Sequence, residues 1–395
     1  MEFEFWWLLA LPVTFGLGWL AARIDIKQLL SESRTLPESY FKGLNFLLNE
    51  QPDKAIDAFI EVSKLDPNTV ELQFALGSLF RRRGEVDRAI RMHHNLTERG
   101  DLDKEQRQTA EFELALDYLK AGLLDRAEQI FSGLTQTAHR QASLKSLLDI
   151  YRQEKDWLKA IPIAHELEGS STRNFESEIA NYYCELATTE YVHARHDKAR
   201  EFLQLALTTN RKCVRANILL GEWAAKDGKH GQAVEIWKRI EAQSPEHLSL
   251  VAENLLHSYR AQGKLEEGLS LLRGFQERYP ALDLLNVVFQ AMLETEGAAS
   301  AYKLVRDDLR RNPTLLGLDK LVEARLMETP VEERSDVQMV KDILHSHTTR
   351  MALYQCDACG FRGRQFYWHC PACGGWDTYP PRRNAELELV QTRLK

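Results

Sequence analysis

The sequence predicts an all-α solenoid of helical hairpins, with one transmembrane helix at the N-terminus and a small four-cysteine module at the C-terminus. Three observations lead to this fold class. A small residue recurs about every 34 residues through most of the chain, residues 5–22 carry no charge, and four cysteines form two C-x-x-C pairs near the end. Helical-hairpin repeats have periods in this range.

Composition supports a folded chain and argues against some kinds of partner. Among the 395 residues, 28% are charged and 44% are hydrophobic, as in ordinary folded proteins. The net charge is −7, whereas binding to nucleic acid needs a basic surface, so we expect no nucleic-acid partner. Six cysteines are too few to staple a chain of this length with disulfides, and paired C-x-x-C motifs indicate metal in a reducing compartment.

The first element is a predicted transmembrane anchor over residues 1–23. Its core, residues 5–22, reads FWWLLALPVTFGLGWLAA, which is close to the length that crosses a bilayer. A cleaved signal peptide is the main alternative, because Leu20-Ala21-Ala22 approaches a cleavage motif. Glu2 and Glu4 stand where a signal peptide carries positive charge. A buried core helix is the other alternative, and it is unusual at an extreme terminus before a polar linker.

Positive residues after the anchor predict its orientation. Arg23, Lys27 and Arg34 follow the span, and no lysine or arginine precedes it. Because positive flanks stay in the cytoplasm, we expect the bulk of the chain on the cytoplasmic side of a membrane, with residues 24–36 as a juxtamembrane linker.

The second element is a repeat array predicted over residues 37–313. Successive rungs are 34, 38, 33, 39, 34, 35 and 33 residues apart. A small side chain at each rung allows two helices to approach closely. The rungs are Ala55, Ala89, Ala127, Ala160, Ala199, Ala233, Gly268 and Ala301.

The neighbours of the rungs repeat as well, and each has a mechanical role. Nine residues before the rung, an aromatic residue fills the space between helices: Phe46, Phe80, Tyr118, Tyr151 and Tyr259. Five residues before it, glycine can take the left-handed conformation that ends the first helix: Gly84, Gly122, Gly228 and Gly263. Twelve residues after it, proline ends the second helix: Pro67, Pro245, Pro280 and Pro313.

This pattern resembles the tetratricopeptide repeat. The resemblance is best at two sets of residues, Gly43, Phe46, Ala55, Phe59 and Pro67, and Leu220, Gly221, Ala233, Trp237 and Pro245. One such unit cannot bury its apolar face alone, so stacked units form a continuous array that presents a groove for protein segments. No catalytic constellation is evident along the units, which favours a binding protein over an enzyme.

Two polar clusters in the array have ordinary structural explanations. We expect His93, His94, His193 and His196 to be solvated, because no cysteine or carboxylate accompanies them at metal-binding spacing. The run Arg81–Arg83 precedes Gly84, where positive charge favours the C-terminal end of a helix. An acidic partner or a membrane surface is the alternative for these arginines.

Residues 314–349 are predicted to be terminal helices and a connector. One helix covers residues 314–327, and an acidic break follows at 328–334. Ser335 and Gln338 have the spacing of a capping box at the start of a second helix, whose apolar face would pack on the last repeat. That face comprises Val337, Val340, Ile343 and Leu344. His345 and His347 at its end are not expected to bind metal.

The last element is a metal-binding module over residues 350–383, followed by a tail at 384–395. Its ligands are predicted to be Cys356, Cys359, Cys370 and Cys373. Two C-x-x-C knuckles supply four thiolates, which suits one tetrahedral iron or zinc ion. The knuckles resemble those of rubredoxin, although the ten residues between them are fewer than in true rubredoxins, and a zinc ribbon fits the spacing equally well. His369 lies next to a ligand but is left outside this complete set.

Aromatic and basic residues surround these cysteines. The aromatic side chains are expected to cover the knuckles or to dock onto the last repeats: Phe361, Phe366, Tyr367, Trp368 and Trp376. The local arginines give weak support for an anionic partner: Arg362, Arg364, Arg382 and Arg383. Cys184 and Cys213 lie on helical stretches and are expected to be small buried hydrophobic residues.

Over its whole length the chain resembles the lipopolysaccharide assembly protein B family of Gram-negative bacteria. The matching stretches are 43–48 with 53–55, 79–81 with 83–91, 121–128, 183–187 and 367–371. The resemblance implies a non-enzymatic inner-membrane adaptor that restrains lipopolysaccharide synthesis. It implies that the committed-step lipid A deacetylase LpxC is presented to the FtsH protease and that other assembly proteins are gathered. It also implies iron at the four cysteines. A generic membrane-tethered scaffold or chaperone, and a rubredoxin-type electron carrier, remain alternatives.

Overall fold

The computed structural model describes residue 15 and residues 38–49, 51–65, 69–170, 174–351 and 353–383. These residues are almost entirely helical, apart from one two-stranded sheet near the C-terminus. The chain divides into two compact units, residues 1–154 and 155–395.

The first unit consists of antiparallel helices in hairpin order. Within the described residues its helices are α1 (Glu38–Leu48), α2 (Pro52–Leu65), α3 (Val70–Arg83), α4 (Val86–Glu98), α5 (Lys104–Lys120), α6 (Leu124–Gly133) and α7 (Arg140–Glu154).

The second unit continues with helices and ends in strands. Its described helices are α8 (Trp157–Ser170), α9 (Glu176–Val192), α10 (His196–Thr209), α11 (Val214–Lys226), α12 (His230–Lys238), α13 (Ile240–Gln243), α14 (Leu248–Ala261), α15 (Leu265–Arg278), α16 (Leu282–Thr295), α17 (Ala298–Arg311), α18 (Leu315–Glu328) and α19 (Arg334–Met351). Short 3-10 turns cover Pro245–His247 and Val331–Glu333. The strands are β1 (Tyr354–Gln355) and β2 (Arg362–Gly363), which pair antiparallel.

The predicted rungs are buried. The seven alanines are 0% exposed, and Gly268 is buried as well. They lie on α2, α4, α6, α8, α10, α12, α15 and α17, so every second helix from α2 to α12 carries one. At Gly268 a Cβ would lie 2.7 Å from the Cβ of Tyr259, the aromatic residue nine positions earlier. The two residues therefore meet where α14 and α15 pack, as the repeat pattern predicts.

The helix-ending turns follow the predicted left-handed geometry. Gly84, Gly122, Gly228 and Gly263 have φ between 71° and 90°. At each of these turns the following amide donates to the carbonyl five residues back, for example Glu85 N to Phe80 O at 2.9 Å. This bond is the outer bond of a Schellman cap. Lys155 and Ala194 occupy the same place before their rungs and have φ of 58° and 59° without being glycine.

A further buried position lies four residues after each rung. Its occupants are at most 1% exposed: Phe59, His93, Phe131, Ala164, Leu203, Trp237, Leu272 and Val305. In three repeats this side chain faces a glycine on the preceding helix. A Cβ added to Gly43, Gly77 or Gly221 would lie 2.2 to 2.7 Å from the ring opposite. Small and large residues therefore interlock at this position.

His93 is not solvated, contrary to the sequence-based expectation. It is 0% exposed, because it occupies this position four residues after Ala89, and its Nδ1 lies 2.5 Å from Asp117 Oδ2. Asp117 is buried on α5 and also accepts from Arg81 Nη1 at 2.7 Å. His94, His193 and His196 are exposed, as predicted.

Arg81 differs from both interpretations of the arginine run. Its guanidinium donates to Glu113 Oε2 at 2.6 Å in addition to Asp117. Arg81 therefore joins α3 to α5 inside the first unit, because two carboxylates one helical turn apart face it. Arg83 forms ion pairs with Asp53 and Glu85 at the turn.

The helix predicted over 314–327 is present as α18, but the start of α19 differs from the prediction. The helix begins at Arg334, so Ser335 is inside it, and Gln338 donates to Asp342 Oδ1 at 2.8 Å. The predicted capping box is therefore wrong. The apolar face of α19 is only partly covered. Val337 and Leu344 are half-buried, whereas Val340 and Ile343 are 49% and 55% exposed.

The predicted anchor and linker, residues 1–36, lie outside the described residues apart from position 15, as do Pro67 and the tail at 384–395. Within the described part of the chain, no helix combines the length and the apolar character needed to cross a membrane.

Candidate metal centre and docked C-terminal module

The four predicted ligand cysteines come together in two knuckles. Cys356 and Cys359 follow β1, and Cys370 and Cys373 follow an isolated antiparallel bridge residue, His369. In each knuckle a glycine with positive φ closes the turn: Gly360 at 75° donates to Cys356 O, and Gly374 at 67° donates to Cys370 O, both at 2.9 Å. Glycine is needed here because other residues rarely adopt this conformation.

The sulfur positions suit one tetrahedral ion. All four Sγ atoms lie within 4.8 Å of one another. Cys356 Sγ is 3.8 Å from Cys373 Sγ, and Cys359 Sγ is 3.7 Å from Cys370 Sγ. A regular tetrahedron with metal–sulfur bonds of about 2.3 Å has sulfur–sulfur edges of about 3.8 Å. The donor set and its spacing therefore fit one zinc or iron ion.

Local hydrogen bonds favour the thiolate form of Cys356 over the thiol. Burial by itself raises the pKa of this thiol, but the Thr378 hydroxyl and the backbone amides of Cys359 and Ala358 outweigh burial. Together they lower the pKa of Cys356 to about 6. Thr378 Oγ1 lies 3.3 Å from the sulfur. The thiolate is the form that binds metal, so the surroundings favour that form at Cys356. The neighbouring Cys359 shifts the opposite way: although the Phe361 amide lowers its pKa, burial and the adjacent thiols raise the pKa of Cys359 to about 12.

Aromatic residues form the small core of the module. Tyr354 and Tyr379 are buried with Cys356 and Cys370, and Tyr379 donates to Tyr354 O at 3.1 Å. Phe361, Phe366 and Tyr367 pack around this pair. The core holds so few residues that a bound metal would supply much of the folding free energy.

Trp376 packs against helices α8 and α9 of the second unit. Its ring is 7% exposed and packs edge-on against Trp157 on α8 and Tyr182 on α9, with centroid distances of 5.8 and 5.9 Å. The guanidinium of Arg215 lies 5.6 Å from the same ring. Such aromatic and cation contacts add to the hydrophobic free energy of burial.

Polar contacts hold the same edge of the module. Asp377, with φ of 52°, accepts hydrogen bonds from the Ser177 hydroxyl and from Asn181 Nδ2, the latter at 3.0 Å. Both donors lie on the first turns of α9, where a negative charge is favoured by the helix dipole. Arg215 in turn donates to Glu185 on α9 at 2.7 Å.

Trp368 forms a second contact. It stacks on His247 with a centroid distance of 5.5 Å and an interplanar angle of 3°. Burial lowers the pKa of His247, and the opposing charges of Glu246 and Asp377 do not overcome this effect. His247 is therefore held in its neutral form beside the tryptophan.

Asp283 on α16 forms the third contact. It accepts from the Tyr354 hydroxyl at 2.6 Å and from Arg383 Nε at 2.8 Å. Burial and the adjacent carboxylate raise the pKa of Tyr354, so its hydroxyl remains a donor. The module is thus fixed to α8–α9, to the turn before α14 and to α16.

Comparison with known proteins supports both parts of this architecture. The rubredoxin metal-binding domain family matches residues 354–381, and the tetratricopeptide-repeat family matches residues 42–91. Lipopolysaccharide assembly protein B of Escherichia coli strain K12 is 35% identical over 381 residues, 96% of this chain and 98% of the relative. The protein of the same name from Haemophilus influenzae is 30% identical over 96% of this chain and 98% of the relative.

This chain belongs to the lipopolysaccharide assembly protein B family. The predicted membership is confirmed.

Among solved structures, a tetratricopeptide-repeat protein from Parabacteroides merdae is 14% identical with a TM-score of 0.27, covering 77% of this chain and 98% of that one. A kinesin light chain-like repeat protein from Podospora anserina is 17% identical with a TM-score of 0.31, covering 44% of this chain and 93% of that one.

In this family member the module docks more widely than the sequence indicates. The aromatic residues are expected to cover the knuckles or to dock onto the last repeats, and Trp376 departs from this expectation because it contacts α8 and α9, earlier in the array. The reason is that the module extends along several hairpins at once. Phe361, Phe366 and Tyr367 do cover the knuckles. His369 packs against Trp376 in a tilted arrangement, with ring centroids 4.6 Å apart, and is not among the clustered metal donors.

Several docking residues were missed from the sequence. The local arginines give weak support for an anionic partner, but the guanidinium of Arg383 binds Asp283 within the chain. Trp157, Asn181 and His247 carry no motif that separates them from other helix residues. Cys184 and Cys213 are buried as expected, with their sulfurs 3.8 Å apart.

Proposed function

We propose that this protein is a membrane-tethered adaptor that regulates lipid A synthesis by presenting the deacetylase LpxC to the FtsH protease and by coordinating other lipopolysaccharide assembly proteins. The main support is the relationship over 96% of the chain to relatives named lipopolysaccharide assembly protein B. The buried rungs and interlocked hairpins support a role in holding other proteins.

The domain division belongs to the same proposal. Residues 1–23 anchor the chain in the inner membrane, residues 24–36 link the anchor to the array, and the bulk of the chain lies on the cytoplasmic side. Residues 37–313 bind protein partners, and 314–349 connect this array to the module at 350–383, with 384–395 as a tail. Cys356, Cys359, Cys370 and Cys373 hold one iron ion, in keeping with the rubredoxin resemblance.

The adaptor role is tested by depleting the protein in its native host and measuring the LpxC level. We expect LpxC to accumulate, because its presentation to FtsH is lost. Re-expression of the full chain restores the normal level, whereas re-expression of a chain without residues 1–23 does not. A constant LpxC level during depletion would contradict the proteolytic role.

Crosslinking in the membrane followed by mass spectrometry tests the partners directly. We expect FtsH and LpxC among the proteins crosslinked to the array. Recovery of other assembly proteins without these two would favour a general scaffold. Metal analysis of the protein from native cells tests the ion, and zinc in place of iron would rule out the rubredoxin-type electron carrier.

A further inference from the structure

Two cysteines outside the metal module face each other where α9 and α11 meet. Cys184 lies inside α9, and Cys213 is the N-cap residue of α11. Both thiols are free, and their sulfurs are 3.8 Å apart although 29 residues separate them in the chain. A disulfide bond is about 2.05 Å long, so an approach of about 1.8 Å would bring the two sulfurs to bonding distance.

The two thiols have different surroundings. A hydrogen bond from the Cys184 thiol is the largest effect on Cys213, and it lowers the pKa of Cys213. The Ala216 amide and the Arg215 guanidinium act in the same direction, against burial and the charge of Asp377. At Cys184, burial raises the pKa well above its usual range. Cys213 is therefore the more acidic thiol of the pair, and the thiolate is the reactive form.

Access to the pair is through Cys213. This residue is 6% exposed and is among the residues that line a cavity of about 320 Å³ between the module and the helices. Cys184 is 0% exposed and is not among the lining residues. The cavity is several times larger than the space of one water molecule, so it admits a molecule as small as hydrogen peroxide. An oxidant in this cavity therefore meets Cys213 first.

We propose that Cys184 and Cys213 form a reversible disulfide when hydrogen peroxide oxidises Cys213. The Cys213 thiolate attacks one peroxide oxygen, so that an S–O bond forms, the O–O bond breaks and hydroxide leaves, which takes a proton from solvent. The Cys184 sulfur then attacks the Cys213 sulfur, so that the S–S bond forms and the S–O bond breaks. The Cys184 proton leaves with the departing hydroxide as water. Two thiols are oxidised, and one peroxide is reduced to two waters.

The position of the pair connects this oxidation to the docked module. Asn181, three residues before Cys184, donates to Asp377 of the module. Arg215, two residues after Cys213, lies 5.6 Å from the Trp376 ring. The disulfide would therefore join the two helices that contact Trp376 and Asp377, without using the metal ligands. Transient disulfides of this kind occur in reducing compartments as redox-sensing sites.

The test is peptide mapping of the full-length, metal-loaded protein after treatment with hydrogen peroxide. Remaining thiols are alkylated, the chain is cut with trypsin and each cysteine is followed by mass spectrometry. We expect residues 174–195 linked to residues 213–215, and loss of this link after reduction with dithiothreitol. Absence of the link while the module cysteines become oxidised would overturn the proposal. A link that forms only after unfolding in urea would overturn it as well.

Two serine variants test the order of the steps. In Cys184→Ser the sulfenic acid on Cys213 has no second thiol to attack it, so it should accumulate and react with dimedone. In Cys213→Ser the buried thiol of Cys184 should react with peroxide and dimedone at least about tenfold less. Equal labelling in the two variants would contradict attack by Cys213. Mapping of the wild type needs no substitution, and irreversible sulfonic acid on Cys213 there would show that Cys184 does not complete the disulfide.

Discussion

Two turn residues, Lys155 and Ala194, adopt the left-handed backbone conformation that glycine adopts at the same position of other repeats. Their φ values of 58° and 59° match the left-handed turns at Gly84, Gly122 and Gly228. A Cβ on any of those three glycines would meet no atom within 4 Å. The difference between glycine and another residue at these turns is therefore a difference in backbone conformational energy, not in packing.

Gly228→Ala and Ala194→Gly test this with changes in opposite directions. We expect Gly228→Ala to lower the free energy of unfolding by about 1 kcal/mol, because a Cβ disfavours the left-handed conformation. Ala194→Gly should raise it or leave it unchanged, since relief of strain opposes the greater freedom of glycine in the unfolded chain. Urea unfolding measures both. A loss of stability in Ala194→Gly would show that packing matters at this turn.

His247 links the docking of the module to pH. Burial lowers the pKa of this imidazole in the folded protein relative to the unfolded chain, whose histidine titrates near 6.5. Between these values the unfolded chain binds more protons, so stability rises with pH. The contribution of His247 is therefore fully present above about pH 6.5 and is lost as pH falls through its lower folded pKa.

The pH prediction is tested with His247→Phe, which keeps an aromatic ring against Trp368 and removes the titration. We expect the free energy of unfolding of the variant to fall less than that of the wild type between pH 7.5 and about pH 5. Thiol protonation affects both proteins, so the difference between them isolates His247. His94→Phe, at an exposed histidine, should follow the wild type. Parallel curves for His247→Phe and the wild type would contradict the prediction.

At the scale of helices, close approach within a hairpin depends on a small residue facing a large one. Gly221 on α11 faces Trp237 on α12, and an added Cβ would lie 2.2 Å from Trp237 Nε1. Trp237 is 1% exposed and donates to Ile218 O at 3.2 Å, so its ring has little room to move. Position 221 therefore has no room for a larger residue while Trp237 keeps this place.

Gly221→Ala should destabilise the protein by about 1 to 3 kcal/mol, because the methyl group overpacks the contact. Helix propensity alone favours alanine over glycine by roughly 1 kcal/mol. Gly231→Ala on α12 is the matched control. The nearest atom to its added Cβ would be Gln262 Oε1 at 3.7 Å, so this variant should be neutral or stabilised. Equal effects of the two substitutions in thermal unfolding would show that the hairpin can relax around Trp237.

At the scale of the second unit, the module and the helices are joined by contacts that depend on the module being folded. Trp376, Asp377 and Trp368 lie close to the second knuckle, and Tyr354 lies next to the first. If the metal orders both knuckles, it also positions these four side chains for docking. Metal binding and docking should therefore be lost together.

Metal removal by a chelator should unfold residues 354–383 and leave the helices folded. Hydrogen exchange is expected to accelerate at the amides of Cys356, Gly360, Cys370 and Gly374, whose hydrogen bonds form the knuckles. The far-UV circular dichroism should change little, because the described module has only two two-residue strands. Cys370→Ser should behave like the metal-free protein, and Cys213→Ser, outside the module, should retain metal. Unchanged exchange after metal removal would show that the module folds without an ion.

The repeat architecture and the cysteine cluster could be predicted from sequence because both depend on short-range spacing. Rungs, turn glycines and C-x-x-C knuckles each involve residues within one hairpin or one loop. The burial of His93 could also have been predicted, since it stands four residues after its rung, like Phe59 and Trp237. Residue type misled the prediction there, because histidine is usually at least partly exposed.

The amino-acid sequence by itself determined the hairpins, the order of the elements and the four clustered thiols, since local periodicity specifies which residues a helix buries. Only the tertiary structure decided where the module docks and what its charged residues do. Asp283 is 100 residues from Arg383, and Ser177 is 200 residues from Asp377. No local pattern connects residues so far apart, because their pairing depends on how several hairpins pack together.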